Sequence, residues 1–227
     1  MILSSEAQRL WDAAQQLRRF ALARNLTPVR ASVTWRKAAL PPLLVFTDPA
    51  RVPRPWDIAG RLPPGAGLVY RTFGDPNALD VAKRLRAITL ERRVILLIGQ
   101  DAELADRVQA DGVHLPERSL SAAYALGGLR PDWLLTGAVH SVTAAIEARD
   151  LDAVVLSPIF PAGGPSARRP ALGRDALVET CRLSATPVYA LGGVDAEKAT
   201  GLIDSGACGI AGIDAFVRAF GSDTVRT

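Results

Sequence analysis

The chain holds two histidines, and each closes a short apolar run: His114 in ADGVHLP and His140 in GAVHS. An imidazole titrates near neutrality, so a histidine at the end of such a run suits the movement of a proton. His140 stands directly before a helical pattern and is assigned the acid/base role. The neighbours of His114 look like packing and a turn; it is taken as structural, with ligand contact as the alternative. Two glycine-bearing strand ends form the second group. Gly192-Gly193 follows Val188–Leu191, and Gly212-Ile213 closes the run that begins at Cys208. Glycines at such ends let backbone N–H groups approach an anion closely, although tight turns demand glycine as well. Arg71 and Ser157 end two further runs. Arg168 and Arg169 lie in the Gly-, Pro- and Arg-rich loop from Pro161 to Gly173. They can clamp an anion from a closing lid, or belong to a solvated loop with no such role.

These positions need elements to hold them. Eight apolar runs recur along the chain: Leu43–Thr47, Leu68–Arg71, Val94–Ile98, Gly112–Leu115, Leu134–Val139, Ala153–Leu156, Val188–Leu191 and Cys208–Ile213. Helical periodicity lies between most of them, over Asn77–Leu90, Ala102–Gln109, Ser119–Gly127 and Val142–Arg149, and again near Asp175. Asp195 is placed as the N-cap of the next helix, with Ala199, Leu202 and Ile203 on one face, and another helix starts at Asp214. Short strands apolar on both faces, each followed by a helix, specify a parallel (β/α)₈ TIM barrel, an α/β fold whose chemistry sits at the strand carboxyl ends. Ahead of it, residues 5–24 show apolar residues at helical spacing (Leu10, Ala14, Leu17, Ala21), with Ser5-x-x-Gln8 as a capping box. Trp11 and Phe20 flank that stripe. This divides the chain into an N-terminal helical extension (1–40), the barrel (41–220) and a tail (221–227). The extension's helix packs on a barrel end or on a second subunit, and its irregular connector runs from Thr27 to Leu40.

At 227 residues with 48% apolar content, the chain fits one barrel and excludes a disordered protein. The net charge is +4, carried by arginines spread along the chain instead of clustered. That favours small anionic ligands over a nucleic-acid groove. Cys181 and Cys208 lack metal-ligand spacing and are assigned as buried, reduced thiols of a cytoplasmic protein. Glu6, Arg9 and Asp12 break any signal-peptide pattern, and no apolar run is long enough to span a membrane.

Taken in order, ADGVHL, GxxHS, SPIFP with a loop ending in LG, ALGG and GACGIAGI resemble the thiamine phosphate synthase/TenI superfamily over about residues 43–217. The resemblance implies a (β/α)₈ barrel that takes thiazole or pyrimidine phosphates and associates as an oligomer. Its synthase branch joins an aminopyrimidine pyrophosphate to a thiazole phosphate with Mg²⁺ assistance. Its TenI-like branch needs no metal and shifts a proton on a carboxylated thiazole phosphate with a histidine matching His140. Several synthase positions differ here. Gln-x-Arg-x-Lys falls on Val69, Arg71 and Phe73; Asn-Asp falls on Gly99 and Gln100; a second metal-binding aspartate falls on Ser119. The serine two before the histidine is Ala138, and the pyrophosphate-gripping Thr-x-Thr-Lys loop is matched by Ala162, Gly164 and Pro165. The resemblance therefore points to a metal-independent thiazole tautomerase with no cofactor. The alternatives are the synthase, with Mg²⁺, and a non-catalytic ligand-binding barrel. Phosphate would sit on Gly192-Gly193 and Gly212-Ile213. There Asp214 stands where the family has a small residue, and its carboxylate would cap the helix and repel the phosphate.

Overall fold

The computed structural model describes residues 3–24 and 39–221. Eight parallel strands close on themselves in sequence order: β1 (Leu43–Phe46), β2 (Gly67–Tyr70), β3 (Ile95–Gly99), β4 (Gly112–Leu115), β5 (Leu134–Val139), β6 (Ala153–Leu156), β7 (Val188–Leu191) and β8 (Gly209–Gly212). The ring is sealed by β1 pairing with β8, Leu44 facing Ala211. The (β/α)₈ barrel expected from the apolar rhythm is the fold observed.

Alternate residues of each strand divide between two cores. Leu44, Phe46, Val69, Leu97, Val155, Tyr189 and Ala211 fill the barrel interior. Leu43, Val45, Leu68, Leu96, Val154, Leu156 and Ile210 pack outward under the helices. Both sets are buried, which is why the strands are apolar throughout instead of alternating. At the amino end of the barrel, the Tyr189 hydroxyl donates to the Pro41 carbonyl at 2.6 Å.

The helices follow α3 (Ala78–Arg92), α4 (Ala102–Arg107), α6 (Val142–Glu147), α7 (Gly173–Leu183), α8 (Ala196–Thr200) and α9 (Asp214–Phe220). A short helix α2 (Pro55–Ala59) follows β1, with Pro55 in its first turn; periodicity gave no sign of so brief an element. Between β4 and β5 the expected helix is a 3₁₀ turn over Glu117–Ala122 continued by α5 (Ala123–Leu129).

The N-terminal helix α1 (Ser5–Ala23) packs on α8, α9, β1 and β8. Ala7, Leu10, Ala14, Leu17 and Ala21 are fully buried there, the first four in the same core that lies under the barrel helices. Its cap is Ser4, not Ser5. Ser4 is extended, and its Oγ accepts from the Ala7 N–H and donates to the Ala219 carbonyl. Ser5 is already helical, and Gln8 donates its side-chain amide to Asp12 instead of closing a capping box. Of the connector expected over Thr27–Leu40, residues 27–38 lie outside the described residues, as does the tail beyond 221.

Candidate active site

The inward parity of the strands determines what meets at the carboxyl end. Residues 69 and 71 share a face, as do 112 and 114, 136 to 140 in steps of two, and 153 to 157 in steps of two. Arg71, His114, His140 and Ser157 therefore continue the interior-facing set past the last packed layer. They line one cavity of about 1200 Å³, joined by Gly192, Gly193, Gly212 and Ile213. Eight of the ten expected site residues thus converge. Arg168 and Arg169 do not. They sit at the end of a 3₁₀ turn (Gly164–Arg168), exposed and outside the cavity lining. The loop's base is tied to β7 instead, with Ile159 N–H on the Leu191 carbonyl and Phe160 N–H on the Gly192 carbonyl.

His140 is half-buried at the end of β5. Its Nδ1 lies 2.9 Å from the Ser157 carbonyl and 3.2 Å from the Ser157 hydroxyl. A carbonyl only accepts, so this bond selects the Nδ1–H tautomer and leaves Nε2 with its lone pair. One nitrogen is anchored and the other is a base. His114 differs. Its ring is buried, edge-on to Phe46 at 4.9 Å, with Nδ1 3.0 Å from the Thr136 hydroxyl. Burial, helped by the charge of Arg71, pushes its pKa down to about 3. It is a neutral packing element that still touches the cavity.

That shift has a sign. The folded pKa lies below the unfolded value near 6.5, so the unfolded chain binds more protons between them. His114 therefore costs no stability above about pH 6.5 and increasing stability as pH falls towards 3. A His114→Gln variant should lose less melting temperature than wild type between pH 7 and pH 4. Parallel pH–melting curves would refute this assignment.

Arg71 is held by two bonds to Thr47, its Nε donating to the Thr47 carbonyl at 2.7 Å and its N–H to the hydroxyl at 3.0 Å. Burial lowers its pKa to about 10, so it stays cationic at neutral pH. Asp48 lies 3.6 Å from Arg71 Nη2 and 2.9 Å from Arg51 Nη2. Burial would raise the Asp48 pKa, but the bond from Arg51 and the charges of Arg51 and Arg71 outweigh it and hold it low.

At the glycine seat, Gly192 and Gly193 have φ of 98° and 63°. A Cβ on Gly192 would come within 2.7 Å of Pro158, and one on Gly193 within 2.4 Å of the Pro161 carbonyl. No other residue fits here. Asp214 does face the cavity, and two expectations about it need correction. It does not cap α9: the N-cap is Ile213, with no side-chain cap bond. Nor is its charge bare, since Arg51 Nη1 lies 3.2 Å from Oδ2 and 3.3 Å from Oδ1. Arg51 thus bridges Asp48 and Asp214, a role that sequence position did not reveal.

Asp214→Ser should still tighten the binding of a phosphate at this seat, because it removes the carboxylate and releases Arg51 Nη1 from it. A unit charge about 4 Å away is worth roughly 1–4 kcal/mol between bulk water and a partly wet site. The exposure of Asp214 favours the low end, so about tenfold is expected in calorimetry with thiazole phosphate. Unchanged affinity would place the phosphate elsewhere.

The fold and site define a (β/α)₈ barrel with a cavity at its carboxyl end, lined by a histidine anchored through Nδ1. The chain matches the family model described as thiamine monophosphate synthase (TMP-TENI) over residues 67–216, and it belongs to that family. A relative from Aquifex aeolicus, named within the thiamine-phosphate synthase class, is 36% identical over 145 residues, 63% of this chain and 77% of its own length. Thiamine-phosphate synthase of Methanoculleus marisnigri is 33% identical over 143 residues, 62% of this chain and 68% of that protein. The structure of thiamine phosphate pyrophosphorylase from Pyrococcus furiosus superposes with a TM-score of 0.68 at 25% identity, covering 81% of this chain and 89% of that one.

The Mg²⁺ implied by the synthase branch does not fit the residues present. The matched positions are Gly99, Gln100 and Ser119, none a carboxylate. The Gln100 side-chain oxygen already accepts from Arg118 Nη2 at 2.8 Å, and Asp48 is engaged by two arginines. Among the described residues, no group of three or more His, Cys, Asp or Glu side chains is arranged to hold a metal. Also among them, no helix is long and apolar enough to cross a membrane.

Proposed function

We propose that this member of the family is a metal-independent, TenI-like isomerase that moves a proton on a carboxylated thiazole phosphate and makes the ring aromatic. The observation that carries this reading is the His140 Nδ1–Ser157 carbonyl bond, which leaves Nε2 free to act as base. Nε2 takes the proton from one ring position and the resulting imidazolium returns it at another. One residue serves both steps, and aromaticity supplies the drive. The glycines at the ends of β7 and β8 offer backbone donors to the phosphate, and Arg71 offers its charge to the substrate carboxylate. A cytoplasmic, cofactor-free protein that associates with copies of itself accords with this reading.

The names of the relatives favour a second reading, synthesis of thiamine phosphate from the two halves. One experiment separates the two. Protein freed of divalent ions by EDTA is given the thiazole tautomer and followed by proton NMR; in parallel it receives both halves with Mg²⁺. Isomerisation above the buffer rate without metal is the expected result. Mg²⁺-dependent thiamine phosphate with no isomerisation would replace this reading with the second. Thermal stabilisation by these ligands with neither product would favour a binding barrel.

A further inference from the structure

Among the exposed large apolar side chains of the described residues, Phe73 is the one that lines the cavity. It is 67% exposed, although a phenyl ring gains more than most side chains from leaving water. Its φ is 47°, in the left-handed region that bulky side chains avoid. Such outliers persist when their surroundings over-determine them, and they cluster at ligand sites. The surroundings here are specific. Phe73 lines the mouth of the cavity, and the Arg71 guanidinium lies 5.0 Å from its ring centroid. The same guanidinium lies 5.6 Å from the ring of Phe46, which belongs to the barrel interior. Arg71 is itself fixed by its bonds to Thr47. A ladder of Phe46, Arg71 and Phe73 therefore climbs from the core to the rim, and its outermost rung is largely in water.

We infer that Phe73 is a stacking platform for the planar heteroaromatic ring of the ligand, and so a determinant of specificity for ring-bearing over ring-less phosphates. An aromatic ring laid on Phe73 would shed water from both flat faces and extend the ladder by one step. The resemblance places a lysine at this position. Here the cation has given way to an apolar surface, which recognises a ring instead of a further phosphate oxygen. The inference rests on the proposed function only in that the cavity takes a small heteroaromatic phosphate.

The test compares wild type with Phe73→Leu, which keeps an apolar side chain without a ring, and Phe73→Tyr, which restores one. The side chain is exposed, so neither change should unfold the protein. The ligands are thiazole phosphate, the aminopyrimidine phosphate and glycerol phosphate, measured by calorimetry and by proton NMR of the ligand. Phe73→Leu should weaken the two ring ligands about tenfold and leave glycerol phosphate within about twofold. Phe73→Tyr should retain tight binding. Ligand ring protons should move upfield on wild type and on Phe73→Tyr, and should not on Phe73→Leu. Equal affinities for wild type and Phe73→Leu would overturn the platform, even where isomerisation proceeds and the functional reading stands. Phe73-dependent binding of the pyrimidine without any of the thiazole would support the platform and sink the isomerase. Failure of wild type to bind either ring would overturn both.

Discussion

A His140→Gln variant is expected to lose about 10²–10⁴-fold in kcat for thiazole isomerisation, the span of a positioned general acid/base. KM should change by no more than a few fold. On the proposed reading, backbone donors at Gly192-Gly193 and Gly212-Ile213 and the charge of Arg71 would hold the substrate; these residues line the same cavity, and the substitution leaves them in place. Glutamine offers an amide near the imidazole's place but cannot exchange a proton near neutrality. Ser157→Ala is the companion variant. It removes the hydroxyl 3.2 Å from Nδ1 and keeps the backbone carbonyl at 2.9 Å, so the tautomer survives and kcat should stay within about threefold. Comparable kcat for His140→Gln and wild type would remove His140 from the chemistry. A large loss in Ser157→Ala would mean that the hydroxyl, not the carbonyl, orients the ring.

The second large effect is on stability. Leu17 of α1 is fully buried, in one core with residues of β1, α8 and α9. Truncating such a leucine to alanine costs about 2–5 kcal/mol in transfer and cavity terms. For a chain of this size each kcal/mol moves the melting temperature by about 2–4 °C, so Leu17→Ala should melt roughly 4–20 °C lower. Arg19, exposed on the same helix, is the control, and Arg19→Ala should shift melting by less than about 2 °C. If Leu17→Ala melts with wild type, α1 is a loose appendage and its packing on the barrel is incidental. The extension is then separable from the barrel in energy as well as in sequence.

Much of the fold and of the site is legible in the sequence. The strands were legible because each is buried on both faces, and their ends placed His140, His114, Arg71 and Ser157 on the catalytic side. The period of two then put them on the same inward face. What escaped depends on contacts between distant elements. Arg51 looks like any loop arginine until β1 and β8 close the ring and bring Asp214 within 3.2 Å of it. For Arg168 and Arg169 a long, basic loop leaves both an anion clamp and a solvated loop open. Sequence did not show that the loop base is tied to β7, nor that the turn over Gly164–Arg168 leaves both arginines outside the cavity. Caps slipped by a residue because Ser4 and Ser5 are equally good cap chemistry, and only backbone conformation separates them. Phe73 stands out in the sequence only as the residue on a family lysine position; one aromatic residue in a turn carries no period, so its exposure and its place beside Arg71 are not legible there.

The claim that orders the rest is that His140 is protonated on Nδ1 and bare on Nε2. Nitrogen NMR of protein labelled in its two histidines measures this directly, with His140→Gln assigning the pair. At mildly alkaline pH, His140 should show a protonated Nδ1 and an unprotonated Nε2, and the Nε2 signal should move when thiazole phosphate is added. A His140 protonated on Nε2, or an Nε2 signal indifferent to the ligand, would contradict the account.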